Sequence, residues 1–135
     1  MKDLISSNIY EFEDVVVVCG TCLPNVDKIG FEKVMEMSEN IYSVCLESHH
    51  MNLVAHKLAS ILRLNKVKKM IFVSVDKSPH CVQLHYIRNE LIKIIKSDDL
   101  EIKSYVSKNG ELVELSYEII SLSKNMSKLV SLYDK

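Results

Sequence analysis

The sequence has little glycine and little proline, with three glycines and two prolines among 135 residues. These residue types dominate turns and flexible linkers, so their scarcity predicts short connections and no interdomain linker. The sequence also contains no internal repeat and no low-complexity segment. A chain of this length can bury a substantial core by itself. We therefore expect residues 1–135 to form a single domain.

Long apolar runs and an excess of either charge are absent as well. No apolar run approaches the roughly 18 residues that span a bilayer, and residues 1–7 lack the apolar core of a signal peptide. The formal net charge is −1, which provides no basic field for nucleic acid or an anionic membrane. We expect a cytoplasmic protein that binds neither. Cytoplasmic thiols stay reduced, so the four cysteines are expected to be ligands, redox groups or core residues.

Phosphate-binding loops are missing too. No G-x-G-x-x-G follows the first apolar stretch, and there is no Walker lysine, which argues against dinucleotide or nucleoside-triphosphate binding. Six residues separate Cys81 from Arg88, one more than in a cysteine-phosphatase loop, and the segment has no glycine. A thioredoxin-like role for Cys19 and Cys22 is disfavoured, because Leu-Pro-Asn follows Cys22 and the next predicted helix starts later.

The most informative stretch is Val15-Val16-Val17-Val18-Cys19-Gly20-Thr21-Cys22. Four consecutive valines are typical of a strand that is covered on both faces. Glycine and a C-x-x-C pair follow at once, so this strand should deliver two thiols to its carboxyl end.

Strands and helices alternate along the rest of the chain. The predicted strands cover 14–19, 41–46, 70–75 and 101–106, and the predicted helices cover 28–39, 49–64, 79–96 and 111–133. Residues 41–46 could instead continue the first helix. Ser48 is the expected N-cap of the second helix, and Ser78 with Pro79 should start the third. This order predicts an α/β fold, a Rossmann-like or flavodoxin-like three-layer sandwich with a four-stranded parallel sheet in the order 2-1-3-4.

The predicted C-terminal helix carries apolar residues at alternating spacings of three and four, namely Leu112, Leu115, Ile119, Leu122, Met126, Leu129 and Tyr133. This amphipathic stripe could pack on the sheet, or its distal half could bind a protein partner or a second copy of the chain. Asn125 and the serines around it could interrupt the helix.

In parallel sheets, ligands bind beyond the carboxyl ends of the strands. The prediction places Cys19, Cys22, Cys45, His49, His80 and Cys81 on or near three such ends. Thiolates with one or two imidazoles suit an iron–sulfur cluster or zinc. We therefore predict a cofactor site formed by Cys19, Cys22, Cys45 and Cys81, with His80 and His49 as further candidate metal ligands.

Each of these residues also has a structural interpretation. Cys45 could be a core residue, His49 could be a solvated residue at a helix start, and Asp76 could order its own turn. His56 and His85 lie inside predicted helices and are interpreted as structural or surface residues.

A different function would use the same edge of the sheet as the site of a small-molecule-binding enzyme. Cys81 or Cys19 would then be the nucleophile, His80 or His49 the base, and Asp76 the residue that orients it. A third possibility is an interaction module based on the C-terminal stripe.

Cys19 with Cys22, Cys45 near the second strand, and the segment from Ser78 to Tyr86 together carry a family resemblance over about residues 14–95. The chain resembles the delta subunit family of methyl-viologen-reducing hydrogenase, which is associated with heterodisulfide reductase in anaerobes. That resemblance implies a [2Fe–2S] cluster and a redox accessory subunit that passes electrons between protein partners. This chain has Leu84 where the family has a cysteine before His-Tyr, and its segment lacks the family's glycines.

Overall fold

A twisted, mostly parallel β-sheet forms the centre of the computed structural model, which describes residues 1–134. The strands are β1 (Lys2–Asp3), β2 (Glu13–Gly20), β3 (Ile41–Val44), β4 (Lys66–Val75), β5 (Glu101–Lys108) and β6 (Glu111–Leu115). They lie in the order β1-β3-β2-β4-β5-β6. Every neighbouring pair is parallel except β5 with β6, which is antiparallel. The helices are α1 (Leu23–Val26), α2 (Lys28–Met37), α3 (Met51–Leu64), α4 (Gln83–Ile94), α5 (Tyr117–Ser123) and α6 (Met126–Tyr133).

The valine run forms β2 and is buried on both faces, as its composition predicts. Successive side chains of a strand point to opposite faces of the sheet, so the run divides between two hydrophobic clusters. Val16 and Val18 pack on the face that α3 and α4 cover, whereas Val17 and Cys19 pack on the face that α1 and α2 cover. Helices on both faces give the three layers of an α/β sandwich.

The four-stranded sheet predicted from the sequence is wrong, because two edge strands extend it. β1 has only two residues and lies within a polar lead-in that carries no strand pattern. β6 falls in the segment predicted as a helix. The four predicted strands correspond to β2, β3, β4 and β5, which are neighbours in the order β3-β2-β4-β5.

The predicted helix over 111–133 is also wrong. Asn109 and Gly110 both have positive φ values, of 51° and 82°, and such a turn connects β5 to β6 as a hairpin. The chain then forms α5, whose N-cap Ser116 accepts a 3.1 Å hydrogen bond from Ile119 N–H. Asn125 caps a separate helix, α6, by accepting from Lys128 N–H at 3.3 Å. A spacing of three between apolar residues did not distinguish strand from helix here.

Two other helices start later than predicted. His50, not Ser48, is the N-cap of α3, and its Nδ1 accepts a 3.1 Å hydrogen bond from Asn52 N–H. Ser78 accepts from Cys81 N–H at 3.2 Å, but this bond orders a turn that precedes α4.

Candidate functional site

Cys19 lies at the carboxyl end of β2, on the side of the sheet that faces α1 and α2. Its side chain is fully buried, and its Sγ donates a 3.3 Å hydrogen bond to Met1 Sδ. Burial raises the pKa of Cys19 to about 12, so the thiol stays protonated at neutral pH. Full burial and a protonated thiol therefore fit the interpretation of Cys19 as a core residue at least as well as its interpretation as a ligand.

Cys81 lies on the opposite side of the sheet. Its Sγ packs against Gly20, where an added Cβ would lie 2.6 Å from the sulfur. Gly20 follows Cys19 directly in β2, and successive residues of a strand face opposite sides of the sheet. Gly20 therefore faces the same side as Val18, which is the side that α3 and α4 cover. The two cysteines therefore approach the end of β2 from opposite faces, and Cys81 lies near enough to add, after burial, to the raised pKa of Cys19.

The other two cysteines are accessible. Cys22 is exposed at the start of α1, and Cys45 is half-buried in the turn after β3. The Ser48 hydroxyl lowers the pKa of Cys45, and the backbone N–H groups of Ser48 and Glu47 contribute in the same direction. Cys45 is consequently the thiol whose surroundings favour the thiolate.

The predicted histidine ligands also lie near this edge. Exposed His80 lies 3.9 Å from Glu47, measured from Nε2 to Oε2, which links the turns that follow β4 and β3. His49 is half-buried in the turn before α3. Within residues 1–134, no three His, Cys, Asp or Glu side chains come together in a group that could hold a metal ion. The structure therefore places the predicted ligands near one edge of the sheet without gathering three of them into one group, and the cofactor stays a prediction.

A cavity of about 390 Å³ lies a short distance along the same edge, between the carboxyl ends of β4 and β5 and helices α4 and α5. Its wall is mostly apolar and includes Val75, Val82, Val106, Leu115, Ile119 and Ile120. Ser74 and His85 line it together with Tyr86, and Asp76 and Lys77 lie at the β4–α4 turn. This position, beyond the strand ends, is where open parallel sheets bind ligands.

A buried hydrogen bond joins two polar residues of this wall. The Ser74 Oγ and His85 Nε2 atoms are 2.6 Å apart, and both side chains are only 2% exposed. Burial, and then the charge of Arg88, lowers the pKa of His85 to about 4, so the ring is neutral at physiological pH. No described residue bonds to His85 Nδ1. This nitrogen is enclosed by the protein, so its lack of a partner is a cost to the fold.

Arg88 lies one helical turn beyond His85 and is also buried. Its guanidinium donates to Asn89 Oδ1 at 3.0 Å and to the Ile102 carbonyl at 3.2 Å. No carboxylate within residues 1–134 forms an ion pair with it. Burial lowers the pKa of Arg88, and the negative charges of Glu118 and Glu114 partly offset this. An arginine keeps its proton under such shifts, so α4 carries a buried positive charge that acts on His85.

Sequence reasoning missed this site, because His85 was interpreted as a structural or surface residue. Two signals were available. Ser74 is a polar residue near the end of an otherwise apolar strand, and polar residues recur on α4 at helical spacing, as His85, Arg88 and Asn89. A polar stripe that faces a polar strand position indicates a buried polar cluster.

A family model described as a Rossmann-like domain matches residues 11–133. The chain therefore belongs to this Rossmann-like domain family, with a mostly parallel sheet as the structure shows. No curated protein and no solved structure gives a significant match. The resemblance to the hydrogenase delta subunit stays a prediction. None of the helices within residues 1–134 has the length and apolar character needed to cross a membrane.

Proposed function

We propose that the protein binds a small molecule in the cavity between α4, α5 and the carboxyl ends of β4 and β5. The cavity volume of about 390 Å³ falls within the usual range for ligand sites, roughly 300–1,000 Å³. Its apolar wall and few polar groups are also typical of such sites. The observation that carries the proposal is the position of this mostly apolar cavity beyond the carboxyl ends of β4 and β5, with the buried Ser74–His85 pair in its wall.

The Ser74–His85 pair also favours ligand binding over nucleophilic catalysis as the function of this cavity. A serine beside a histidine resembles the start of a hydrolytic triad, in which a carboxylate at Nδ1 orients the ring and stabilises its protonated form. Here no described carboxylate contacts His85 Nδ1, and the pKa of about 4 makes the ring a weak base. Ser74 is therefore poorly activated, and the pair is better suited to recognition than to proton transfer.

The experiment is a ligand screen by NMR with uniformly labelled protein and small aliphatic and aromatic compounds. We expect saturable shift changes at Tyr86 and Ile120, which line the cavity. Ile119→Trp should abolish binding, because Ile119 is a partly exposed wall residue and indole would fill the cavity.

Met35→Trp is the matched control. Met35 is exposed to a similar degree, 49% against 53% for Ile119, but it lies on α2, which covers the other face of the sheet. Binding should survive this substitution. Equal loss in the two variants, or shift changes confined to other surfaces, would contradict the proposal.

An iron–sulfur or zinc site at Cys19, Cys22, Cys45 and Cys81 is a separate proposal from the sequence, as is a cytoplasmic location. No three His, Cys, Asp or Glu side chains among residues 1–134 form a group that could hold a metal ion, so binding would require these side chains to rearrange. Iron, sulfide and zinc analysis of protein purified without oxygen is the direct test. Stoichiometric metal that is lost in Cys22→Ser would support the metal site, and metal-free protein would contradict it.

A protein contact through α6 is supported by the exposure of that helix. None of its residues is buried, and Met126, Val130, Leu132 and Tyr133 present apolar surface. We propose that α6 binds another protein chain. Deleting residues 124–135 should change the mass measured by light scattering or remove a co-purifying partner, and an unchanged monomer with no lost contact would contradict this.

A further inference from the structure

The polar side chains in the cavity wall are largely occupied by bonds within the protein. Ser74 Oγ and His85 Nε2 bond to each other, and both side chains are only 2% exposed. Ser123 Oγ donates to the Ile120 carbonyl at 2.6 Å and lies 3.3 Å from Tyr86 Oη. A ligand would therefore gain little from polar groups placed deep in the cavity.

The charged residues of the cavity lie on its solvent side and have both signs. Within residues 1–134, Asp76 and Lys77 are the only charged residues of the lining, and they are adjacent in the β4–α4 turn. Asp76 is half-buried and Lys77 is exposed. Lys124 Nζ lies 5.3 Å from the centre of the Tyr86 ring, at an exposed position where salt and water screen its charge.

The inner wall provides no counter-ion for a charged ligand. Arg88 is buried in α4 but is not part of the lining, and the negative charges of Glu118 and Glu114 act on it and offset its field. An ion inside the cavity would lose its water without gaining a partner, which is strongly unfavourable. An ion held at the solvent side would meet Asp76 and Lys77 together, so neither sign of charge has an advantage there.

From the lining and its charges, together with the proposed function on which this step rests, we infer that the ligand is an uncharged molecule made mostly of hydrocarbon. Its body lies against Val106, Leu115 and Ile120, and any hydroxyl or carbonyl group that it carries lies toward the solvent side. Removal of apolar surface from water supplies the binding free energy, so affinity grows with the length of the hydrocarbon until the cavity is filled.

The first test compares 1-octanol, octanoate and octylamine, three probes of equal chain length, by NMR titration at pH 7.5. The methyl signals of Leu115 and Ile120 report binding in the cavity. Octanol should bind at least about tenfold more tightly than either ion. Binding of one ion as tightly as octanol, at the same methyl groups, would overturn the inference and leave the proposed function standing. No shift change with any of the three probes would overturn both.

The length of the hydrocarbon provides a second test on the unmodified chain. From 1-hexanol through 1-heptanol to 1-octanol, affinity should rise about fourfold for each methylene group that becomes buried. Equal affinities for the three alcohols would show that the hydrocarbon is not what the cavity binds, and the inference would be wrong.

A charge introduced into the wall should reverse the selection. Leu115 is a half-buried wall residue of β6, and in Leu115→Lys the alkyl stem replaces leucine while the ammonium group supplies a counter-ion. This variant should raise the affinity of octanoate relative to octanol by at least about tenfold, whereas Leu115→Met should keep the wild-type order. If Leu115→Lys binds octanol but gives octanoate no advantage over the wild type, the lack of a counter-ion is not what excludes ions and the inference is wrong. The two tests on the unmodified chain do not depend on how this variant folds.

Discussion

The Asp27 carboxylate accepts a 2.7 Å hydrogen bond from the Ser107 hydroxyl, which connects the start of α2 to the end of β5. The same carboxylate accepts from Gly110 N–H at 3.0 Å and from Gly30 N–H at 3.1 Å. Asp27 is therefore both the N-cap of α2 and the residue that holds the β5–β6 turn. The Ser107 bond is the main cause of the lowered pKa of Asp27, and the two backbone bonds act in the same direction.

Asp27→Ala should lower the melting temperature, because it removes a helix cap and leaves the Ser107 hydroxyl and two N–H groups without this acceptor. Ser107→Ala should have a smaller effect, since Asp27 keeps both backbone donors. Differential scanning calorimetry compares the two variants, with exposed Asp98→Ala as the control. A melting temperature for Asp27→Ala equal to that of Asp98→Ala would show that the connection does not stabilise the fold.

Gly20 is required by the position of Cys81. In Gly20→Ala the new Cβ would lie 2.6 Å from Cys81 Sγ, so one of the two must move. We expect a loss of about 1–3 kcal/mol in the free energy of unfolding, as is usual for overpacking. Urea denaturation measures this value.

The clash is specific, so a second substitution should relieve it. Cys81→Ala removes the sulfur and, in the Gly20→Ala background, should restore most of the lost stability. In a double-mutant cycle the coupling should then account for most of the Gly20→Ala effect. Additive effects would show that Gly20 is needed for another reason, such as its backbone conformation.

The cysteines should differ strongly in reactivity. Cys19 is buried and its pKa is raised to about 12, so iodoacetamide should leave it unmodified while the protein stays folded. Cys45 has a lowered pKa, which increases its thiolate fraction at pH 7.5. Ser48→Ala should slow alkylation of Cys45, because the Ser48 hydroxyl is the main cause of that shift. Exposed Cys22 is the internal control in the same peptide map, and equal slowing at Cys22 would contradict this assignment.

The sequence was sufficient for the central part of the fold and insufficient for the site. The valine run of β2 determines a doubly covered strand, and the family match confirms a Rossmann-like domain. The predicted cysteine site stays a prediction, because its residues lie near one edge of the sheet but no three potential ligands within residues 1–134 form a metal-holding group. Leu112 and Leu115 fitted a helical stripe, yet the Asn109–Gly110 turn placed them in β6.

The contact between His85 and Ser74 is the feature of the site that the local sequence does not specify. His85 precedes Tyr86 and follows Leu84 on α4, and nothing in these neighbours specifies that Ser74 lies opposite. That contact depends on how α4 crosses the sheet, which is a property of the whole packed domain. The link between Asp27 and Ser107, which are 80 residues apart, has the same origin.

Neutral, buried His85 should make the protein less stable as the pH falls below about 6.5. The folded-state pKa of about 4 lies below the ordinary value of 6.5. Between these two values the unfolded chain binds a proton at His85 and the folded chain does not, so unfolding becomes more favourable as the pH falls. The stabilisation is complete above pH 6.5 and is lost as the pH falls to 4, amounting to about 3 kcal/mol over the full interval.

Urea denaturation from pH 7.5 to 4.5 should show this loss in the wild type and a smaller one in His85→Leu. His56→Leu, altered at an exposed position of α3, should give a curve parallel to that of the wild type. Parallel curves for the wild type and His85→Leu would mean that His85 titrates in the folded protein as it does in the unfolded chain, and that its burial against Ser74 is not maintained in solution.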